Sequence, residues 1–248
     1  MRIPTELVNA LQNAEHVVVL TGSGISAESG VPTFRDAQTG LWARFSPEEI
    51  ATPEAFARDP ALVWRWYRWR RELVESARPN AGHEALKELA TLVARFTLIT
   101  QNVDGLHQRA GSTDLIEFHG NIMRDRCSRG CGVSVPNRAA LAPGDDQPPR
   151  CHACGAMLRP DVVWFGEAIP EAALIGAGAA VDACDVFMSV GTSSLVFPAA
   201  ALAAEARRAG ALIVEVNPNP TPLTPTADFA LQAPAGAALP ALVAALRA

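Results

Sequence analysis

Apolar residues follow two rhythms along the chain. Short runs rich in β-branched residues fall at 16–20, 96–100, 115–118, 186–190, 212–216 and 229–232. Between them apolar positions recur at helical spacing, as at 81–93, 198–209 and 238–246. Strands alternating with helices predict an open, mostly parallel α/β sheet. Pro-rich stretches at 142–149 and 217–226 read as surface loops, and no internal repeat is visible. Two stretches break the alternation. Residues 41–79 are aromatic and arginine-rich with helical spacing, and residues 121–159 hold four of the five cysteines with few apolar runs. Both are expected to be insertions that form a smaller module, leaving a discontinuous main domain over 1–40, 80–120 and 160–248.

Composition narrows the class. The chain has 248 residues, 49% hydrophobic and 19% charged, which excludes disordered, collagen-like and coiled-coil proteins. With 21 basic and 26 acidic residues the net charge is -5, so nothing global attracts nucleic acid or an acidic membrane. The longest weakly polar run, 195–204, contains Pro198 and is too short to span a bilayer. The opening MRIPTELVNALQ lacks the basic head and apolar run of a secretory signal. A cytoplasmic, reducing setting is therefore expected, in which paired cysteines stay thiolate. A single lysine, Lys87, and a single tyrosine, Tyr67, leave few candidates for a Tyr-Lys pair or a Schiff base.

The first strand runs into Thr21-Gly22-Ser23-Gly24-Ile25-Ser26-Ala27, which fits G-x-G-x-x-G/A at a strand-to-helix turn. Glycine permits the tight turn and lets backbone amides approach a pyrophosphate, whose charge a helix N-terminus favours. A ligand-free glycine turn meets the same pattern. A dehydrogenase also wants an acidic residue about 20 positions on, at the end of a second strand. That region reads Leu41-Trp42-Ala43-Arg44-Phe45, which weakens hydride transfer as the activity. A polar loop, Glu28 to Arg35, follows the turn instead and ends in Phe34 and Arg35, an aromatic and a cation able to cover a cofactor.

Gln101, Asn102 and Asp104 lie just past the second predicted strand and His119 just past the third. Strand carboxyl ends face the ligand crevice of an open α/β sheet, so these side chains can share one site. Each Asn or Asp alone is accounted for by turn formation, and His119 alone by packing as a neutral imidazole. Several at successive strand ends point to a site.

Cys127-x3-Cys131 and Cys151-x2-Cys154, separated by 19 residues, approach the ribbon template of two pairs gripping one tetrahedral zinc. Four thiolates close the shell, so the zinc would be structural. Disulfides or free thiols are the alternatives. His152 is a poorer ligand candidate, and Cys184 reads as a buried thiol. In Trp64-Arg65-Trp66-Tyr67-Arg68-Trp69-Arg70, Tyr67 and Arg70 share a helix face. A guanidinium beside a phenol suits a carboxylate, while solvated arginines over buried tryptophans give the same pattern.

The segment from Gly22 to Arg35 resembles the signature loop of the sirtuins, the NAD-dependent protein-lysine deacylases. Further segments resemble the same family in order: Thr100-Gln101-Asn102-Val103-Asp104-Gly105-Leu106-His107, His119-Gly120, the four cysteines, Phe165-Gly166-Glu167, Gly191-Thr192-Ser193 and Val216-Asn217-Pro218. The match spans nearly the whole chain, with Ser23 standing where the family usually has alanine. The resemblance implies a Rossmann-like NAD-binding domain over the main-domain segments and a small domain built from the helical and zinc insertions.

It also implies an acyl transfer that consumes NAD. The amide oxygen of an acyl-lysine would attack the nicotinamide ribose, and His119 would act as general base on the ribose hydroxyls. Nicotinamide, free lysine and 2'-O-acyl-ADP-ribose would leave. Asn102 would position the ribose or a water, Asp104 the carboxamide, Phe34 would shield the ribose face, and Arg35 would contact the cofactor or order its loop. Further cofactor contacts would come from Gly22, Ser23, Gly24, Ile25, Glu28 and Thr33 on the first loop and from Gln101 and Val103 on the second. Gly191, Thr192 and Ser193 would meet phosphate and ribose, Asn217, Pro218 and Asn219 the adenosine ribose, and Ala235 the adenine. Tyr67 and Arg70 resemble the Tyr-x-x-Arg motif of members that remove succinyl and malonyl groups, with Ala51 leaving room for a longer acyl chain. The peptide would lie along Val162, Trp164 and Phe165 opposite the Ser194-Leu195-Val196 loop, reading backbone more than side chains. The expected partner is an acyl-lysine protein or peptide met by a monomer, without nucleic acid or membrane. A mono-ADP-ribosyltransferase and a non-catalytic zinc-ribbon module are the competing readings.

Overall fold

A computed structural model describes residues 1–32, 47–136 and 147–248. Thr33, Phe34 and Arg35 fall outside the described residues. Among those described, the helices are α1 (Thr5–Asn13), α2 (Gly24–Ala27), α3 (Pro47–Ile50), α4 (Pro53–Arg58), α5 (Pro60–Ser76), α6 (Ala81–Leu89), α7 (Leu106–Ala110), α8 (Glu171–Asp182), α9 (Leu202–Arg208) and α10 (Ala235–Arg247). The strands are β1 (Val17–Thr21), β2 (Phe96–Thr100), β3 (Leu115–Glu117), β4 (Gly120–Cys127), β5 (Ser134–Pro136), β6 (Leu158–Val162), β7 (Val186–Val190), β8 (Leu212–Val216) and β9 (Phe229–Leu231).

All six strands read from the sequence join one sheet, in the order β3-β2-β1-β7-β8-β9 and with every pairing parallel. Two three-stranded halves running outward from β1 and β7 make the doubly wound, Rossmann-like arrangement, with its switch point between those central strands. β1 shows why its run is uninterrupted. Val17 and Val19 pack toward Leu7, Leu11, Leu86 and Leu239 of α1, α6 and α10, while Val18 and Leu20 meet Ala177, Val181, Leu202 and Ala206 of α8 and α9. A parallel strand covered on both faces has no polar side to alternate with.

Helix ends differ modestly from the expectation. The 81–93 pattern stops at Leu89, where the Thr91 backbone N–H and hydroxyl both take the Glu88 carbonyl and end the helix. The 198–209 pattern divides into a 3-10 turn, Ala199–Ala201, and α9.

A second sheet, β5-β4-β6, is antiparallel and carries the cysteines at one end. The aromatic stretch forms α3 to α5. Asp59 caps α5 by accepting from the Leu62 N–H, and Pro60 opens it. The buried face of α5, with Val63, Trp66, Tyr67 and Val74, packs with Phe56, Leu106, Ile122, Val162 and Trp164 in a cluster separate from the main core. Arg71, 1% exposed, crosses from α5 to β4, donating from Nε to the Ile122 carbonyl (2.7 Å) and from a terminal nitrogen to Asp125 (2.6 Å). No helix among the described residues is long and apolar enough to cross a membrane.

Candidate active site

Parallel pairing launches five of the predicted site loops from one edge. Gln101 N donates to Thr21 O, Gly22 N to Val190 O, Gly191 N to Val216 O, Asn217 N to Leu231 O, and Phe118 N to Thr100 O. The first residue past each strand thus extends the ladder to its neighbour. The loops carrying Gly22, Asn102, His119, Thr192 and Asn217 are held level at the carboxyl edge, where open α/β sheets bind ligands.

The glycines there have a use the sequence did not reveal. A Cβ on Gly22 or Gly24 would sit 2.7–2.8 Å from Gly191 O, and one on Gly191 (φ +60°) would sit 2.5 Å from Ile25 N. The two turns interlock across the switch point, and the amides of Gly22 and Gly24, expected to face a pyrophosphate, donate to Val190 O and Gly191 O. Gly120 is more constrained still. It has φ +80°, and a Cβ would lie 2.1 Å from Asp161 O, so nothing larger fits behind His119.

His119 is half-buried, with Nδ1 3.1 Å from the Gln101 carbonyl. A carbonyl only accepts, so Nδ1 carries the proton of the neutral ring and Nε2 presents its lone pair. Burial lowers the imidazole pKa from 6.5, partly offset by the Gln101 bond. The environment therefore makes a neutral base. Asn102 Nδ2 donates to Gly22 O (3.0 Å) and Ser26 Oγ (3.2 Å), leaving Oδ1 without a partner among the described residues.

Asp104 is buried and already engaged. Its Oδ2 accepts from Ser26 Oγ (2.7 Å) and its Oδ1 from Leu106 N (2.8 Å), and burial nevertheless raises its pKa. Behind it lie two histidines, His83 and His107. His83 Nδ1 accepts from Asn80 N, and its Nε2 lies 3.5 Å from Ser26 Oγ. His107 Nε2 lies 3.0 Å from Thr21 Oγ1, and the two rings are 4.8 Å apart. Burial pushes His83 down to about 4 and His107 to about 3. Ser26, His83 and His107 thus form the polar floor beneath the site. Ser26 was visible in the glycine motif, whereas a histidine at the third helix position carries no signal of burial.

On the other half of the sheet Asn217 Nδ2 donates to Thr192 O (2.8 Å) and its Oδ1 accepts from Asn219 N. Glu28 accepts from Gly236 N (2.7 Å), fastening the first turn of α10 beside buried Ala235 to the loop after α2. Pro218 and Asn219 are exposed, Ile25 is fully buried, and Val103 is half-buried. The side chains of Ser23, Gln101 and Ser193 have no described partner. Together with Asn102 Oδ1 and His119 Nε2 they leave neutral hydrogen-bonding groups at the carboxyl edge, a set suited to the ribose and amide groups of a dinucleotide. A cavity of about 450 Å³ walled by α5, α7 and β4 is lined by Asp104.

Ala51, Tyr67, Val162 and Trp164 are brought into one buried cluster. Trp164 Nε1 donates to the Tyr67 hydroxyl (2.8 Å), and Phe165 N to Ala51 O (3.0 Å). Half-buried Arg70 lies with Cζ 5.0 Å from the Trp66 ring centre, within electrostatic reach of Tyr67 and Asp104. Phe165 is exposed, as are Leu195, Val196 and Phe197. The segment expected to pair with a peptide has already committed the backbone N–H groups of Val163, Trp164, Phe165 and Glu167 internally. Three side chains given no role by the sequence pattern hold it. Glu167 accepts from Arg159 (2.5 and 3.0 Å), Arg126 (3.1 Å) and Trp164 N (2.8 Å).

The four cysteines converge as expected. All Sγ atoms of Cys127, Cys131, Cys151 and Cys154 lie within 4.8 Å of one another. The backbone N–H groups of Cys131 and Arg129 help hold the Cys127 thiol down to about 6. Four cysteine sulfurs in that space suit a tetrahedral zinc, which they would hold as thiolates with no position left for water. His152 is exposed beside them, and Cys184 is a buried thiol whose pKa burial raises to about 11.

The sequence profile of the Sir2 family matches residues 22–198. NAD-dependent protein deacylase 2 of Pyrobaculum aerophilum is 52% identical over 237 residues, covering 96% of this chain and 93% of the relative. A crystal structure of a Sir2 homologue in complex with NAD superposes with a TM-score of 0.92 at 46% identity, covering 99% of this chain and 94% of that one. A mutant Sir2 homologue in complex with 2'-O-acetyl ADP-ribose gives 0.91 at 45% identity, covering 99% and 97%.

Proposed function

The chain belongs to the Sir2 family, and from that premise we propose that it removes acyl groups from protein lysines at the expense of NAD, yielding nicotinamide and 2'-O-acyl-ADP-ribose. The observation that carries the reading is His119. Its Nδ1 is tied to the Gln101 carbonyl, its Nε2 is unprotonated, and it sits on the edge where those site loops emerge. NAD, when bound, supplies an electrophilic ribose carbon with nicotinamide as leaving group. His119 takes a proton at Nε2, its charge then shared with the Gln101 carbonyl. Asn102, anchored through Nδ2, orients a ribose hydroxyl or water with Oδ1. Asp104 holds Ser26 and the start of α7 and so shapes the carboxamide side. Gly191, Thr192, Ser193 and Asn217 line the nucleotide half.

The zinc is structural in this reading, and α3 to α5 with the cysteine sheet make the small domain against a discontinuous NAD-binding domain. The unoxidised thiol cluster fits a reducing, cytoplasmic setting, and a net charge of -5 gives nucleic acid and acidic membranes no global attraction.

The acyl group is proposed to be succinyl or malonyl, with some acetyl turnover. Tyr67 and Arg70 share one helix face beside Ala51 and Trp164, and a phenol plus a guanidinium is a donor set for a carboxylate. The test is turnover of one peptide carrying acetyl, succinyl or malonyl, with and without NAD. Arg70→Met should cut kcat/KM for the succinyl peptide by about tenfold to a hundredfold, the scale of one lost charged hydrogen bond. Equal losses on acetyl and succinyl would remove the receptor, and no NAD-dependent turnover of any peptide would remove the function.

A further inference from the structure

Tyr67, 3% exposed, has one described hydrogen bond to its hydroxyl, from the indole N–H of Trp164 at 2.8 Å. An indole nitrogen can only donate, so the bond has one sense. The phenol oxygen receives, and its own proton must turn away from Trp164. Burial pushes the phenol up to about 12, so that proton is retained around neutral pH.

Trp164 has little freedom to aim its N–H elsewhere. The Arg159 guanidinium lies 3.3 Å from the indole centre on one side. Phe56 packs at 5.4 Å and the Tyr67 ring at 6.3 Å. Its backbone N–H is held by Glu167, which two arginines hold in turn. The direction of the indole N–H is thus set by β4, β6 and the loop after β6, while Tyr67 is set by α5.

We propose that Trp164 is a positioning residue for acyl selectivity: its N–H fills the acceptor side of the Tyr67 hydroxyl and fixes that hydroxyl as a donor to a carboxylate at the end of the acyl chain. This deepens the reading of Tyr67 and Arg70 as a carboxylate receptor and rests on it. A hydroxyl that already accepts a bond is polarised toward donating one. Without Trp164 N–H the phenol rotates and spreads its proton over directions that miss the acyl end. A neutral acetyl methyl offers that proton nothing, so the effect belongs in the ratio between the two acyl groups.

The experiment is a double-mutant cycle on the full chain, with kcat and KM measured on one peptide bearing succinyl or acetyl. Trp164→Phe should lower the succinyl-to-acetyl ratio of kcat/KM by roughly threefold to tenfold, the worth of one neutral hydrogen bond, with the loss in the succinyl KM. In a Tyr67→Phe background the same substitution should leave the ratio within about twofold, because the group it orients is gone. Equal factors on both acyl groups, or an undiminished ratio change in the Tyr67→Phe background, would overturn the proposal. If Tyr67→Phe does not itself lower the ratio, the receptor reading fails and takes this inference with it. If Tyr67→Phe lowers it and Trp164→Phe does not, the inference alone fails. Should Trp164→Phe not fold, replacing Trp164 by β-(3-benzothienyl)alanine keeps the ring and removes the N–H, with the same outcomes expected.

Discussion

His119 owes its role to one backbone carbonyl and to burial. With Nδ1 committed to Gln101 O, neutral His119 has a single tautomer, and burial sets its pKa below 6.5. A general base works when unprotonated, so activity should rise with pH through that lowered pKa and stay flat above it. The acidic limb of kcat/KM should therefore have its midpoint below 6.5, and a midpoint above 7 would mean that His119 does not carry the limb. Residue by residue, legibility in the sequence was uneven. His119, Asn102 and the cysteines stood out because strand ends and ligand spacing are local patterns. Arg71, Glu167, Arg159 and Trp164's indole bond did not, because each acts on a partner brought close by the fold, as Trp164 is to Tyr67 across 97 positions.

Elements were read well where the pattern was strong. The six strands of the main sheet were visible because each is a short apolar run, the four central ones covered on both faces, and their order follows from the doubly wound rule once parallel pairing is granted. The ribbon strands β4 to β6 were not, since Arg124, Asp125 and Arg126 on β4 are charged and satisfied by Asp161, Arg71 and Glu167. Between the elements, α6 and α7 place the His83 and His107 rings tilted against each other in the core, with burial lowering their folded pKa values to about 4 and about 3. Both are depressed below 6.5, so an unfolded chain takes up these protons first as pH falls. Their contribution is fully present above 6.5 and is lost below it, at up to about 1.4 kcal/mol per pH unit for each ring. Urea unfolding should show stability falling between pH 6.5 and 5.5 and the slope shrinking in His107→Gln. A flat profile over that interval would show the rings to be protonated in the folded chain.

At the scale of the molecule, three apolar clusters serve two tasks. Two clamp the main sheet from its two faces, and the third, around Trp66 and Trp164, packs α3 to α5 against α7, β4 and β6. Arg71 bridges α5 to β4, and the cysteine cluster ends the ribbon on which β4 hangs. The solitary Tyr67 packs inside the third cluster, while Lys87 stays outside the proposed chemistry because the lysine that reacts would be the substrate's. The most direct measurement of the whole is a product inventory by mass spectrometry after turnover of a succinyl-lysine peptide with NAD. Nicotinamide, free-lysine peptide and 2'-O-succinyl-ADP-ribose should form in equal amounts and all three should vanish in His119→Ala; ADP-ribosylated peptide, or deacylation without nicotinamide, would contradict it.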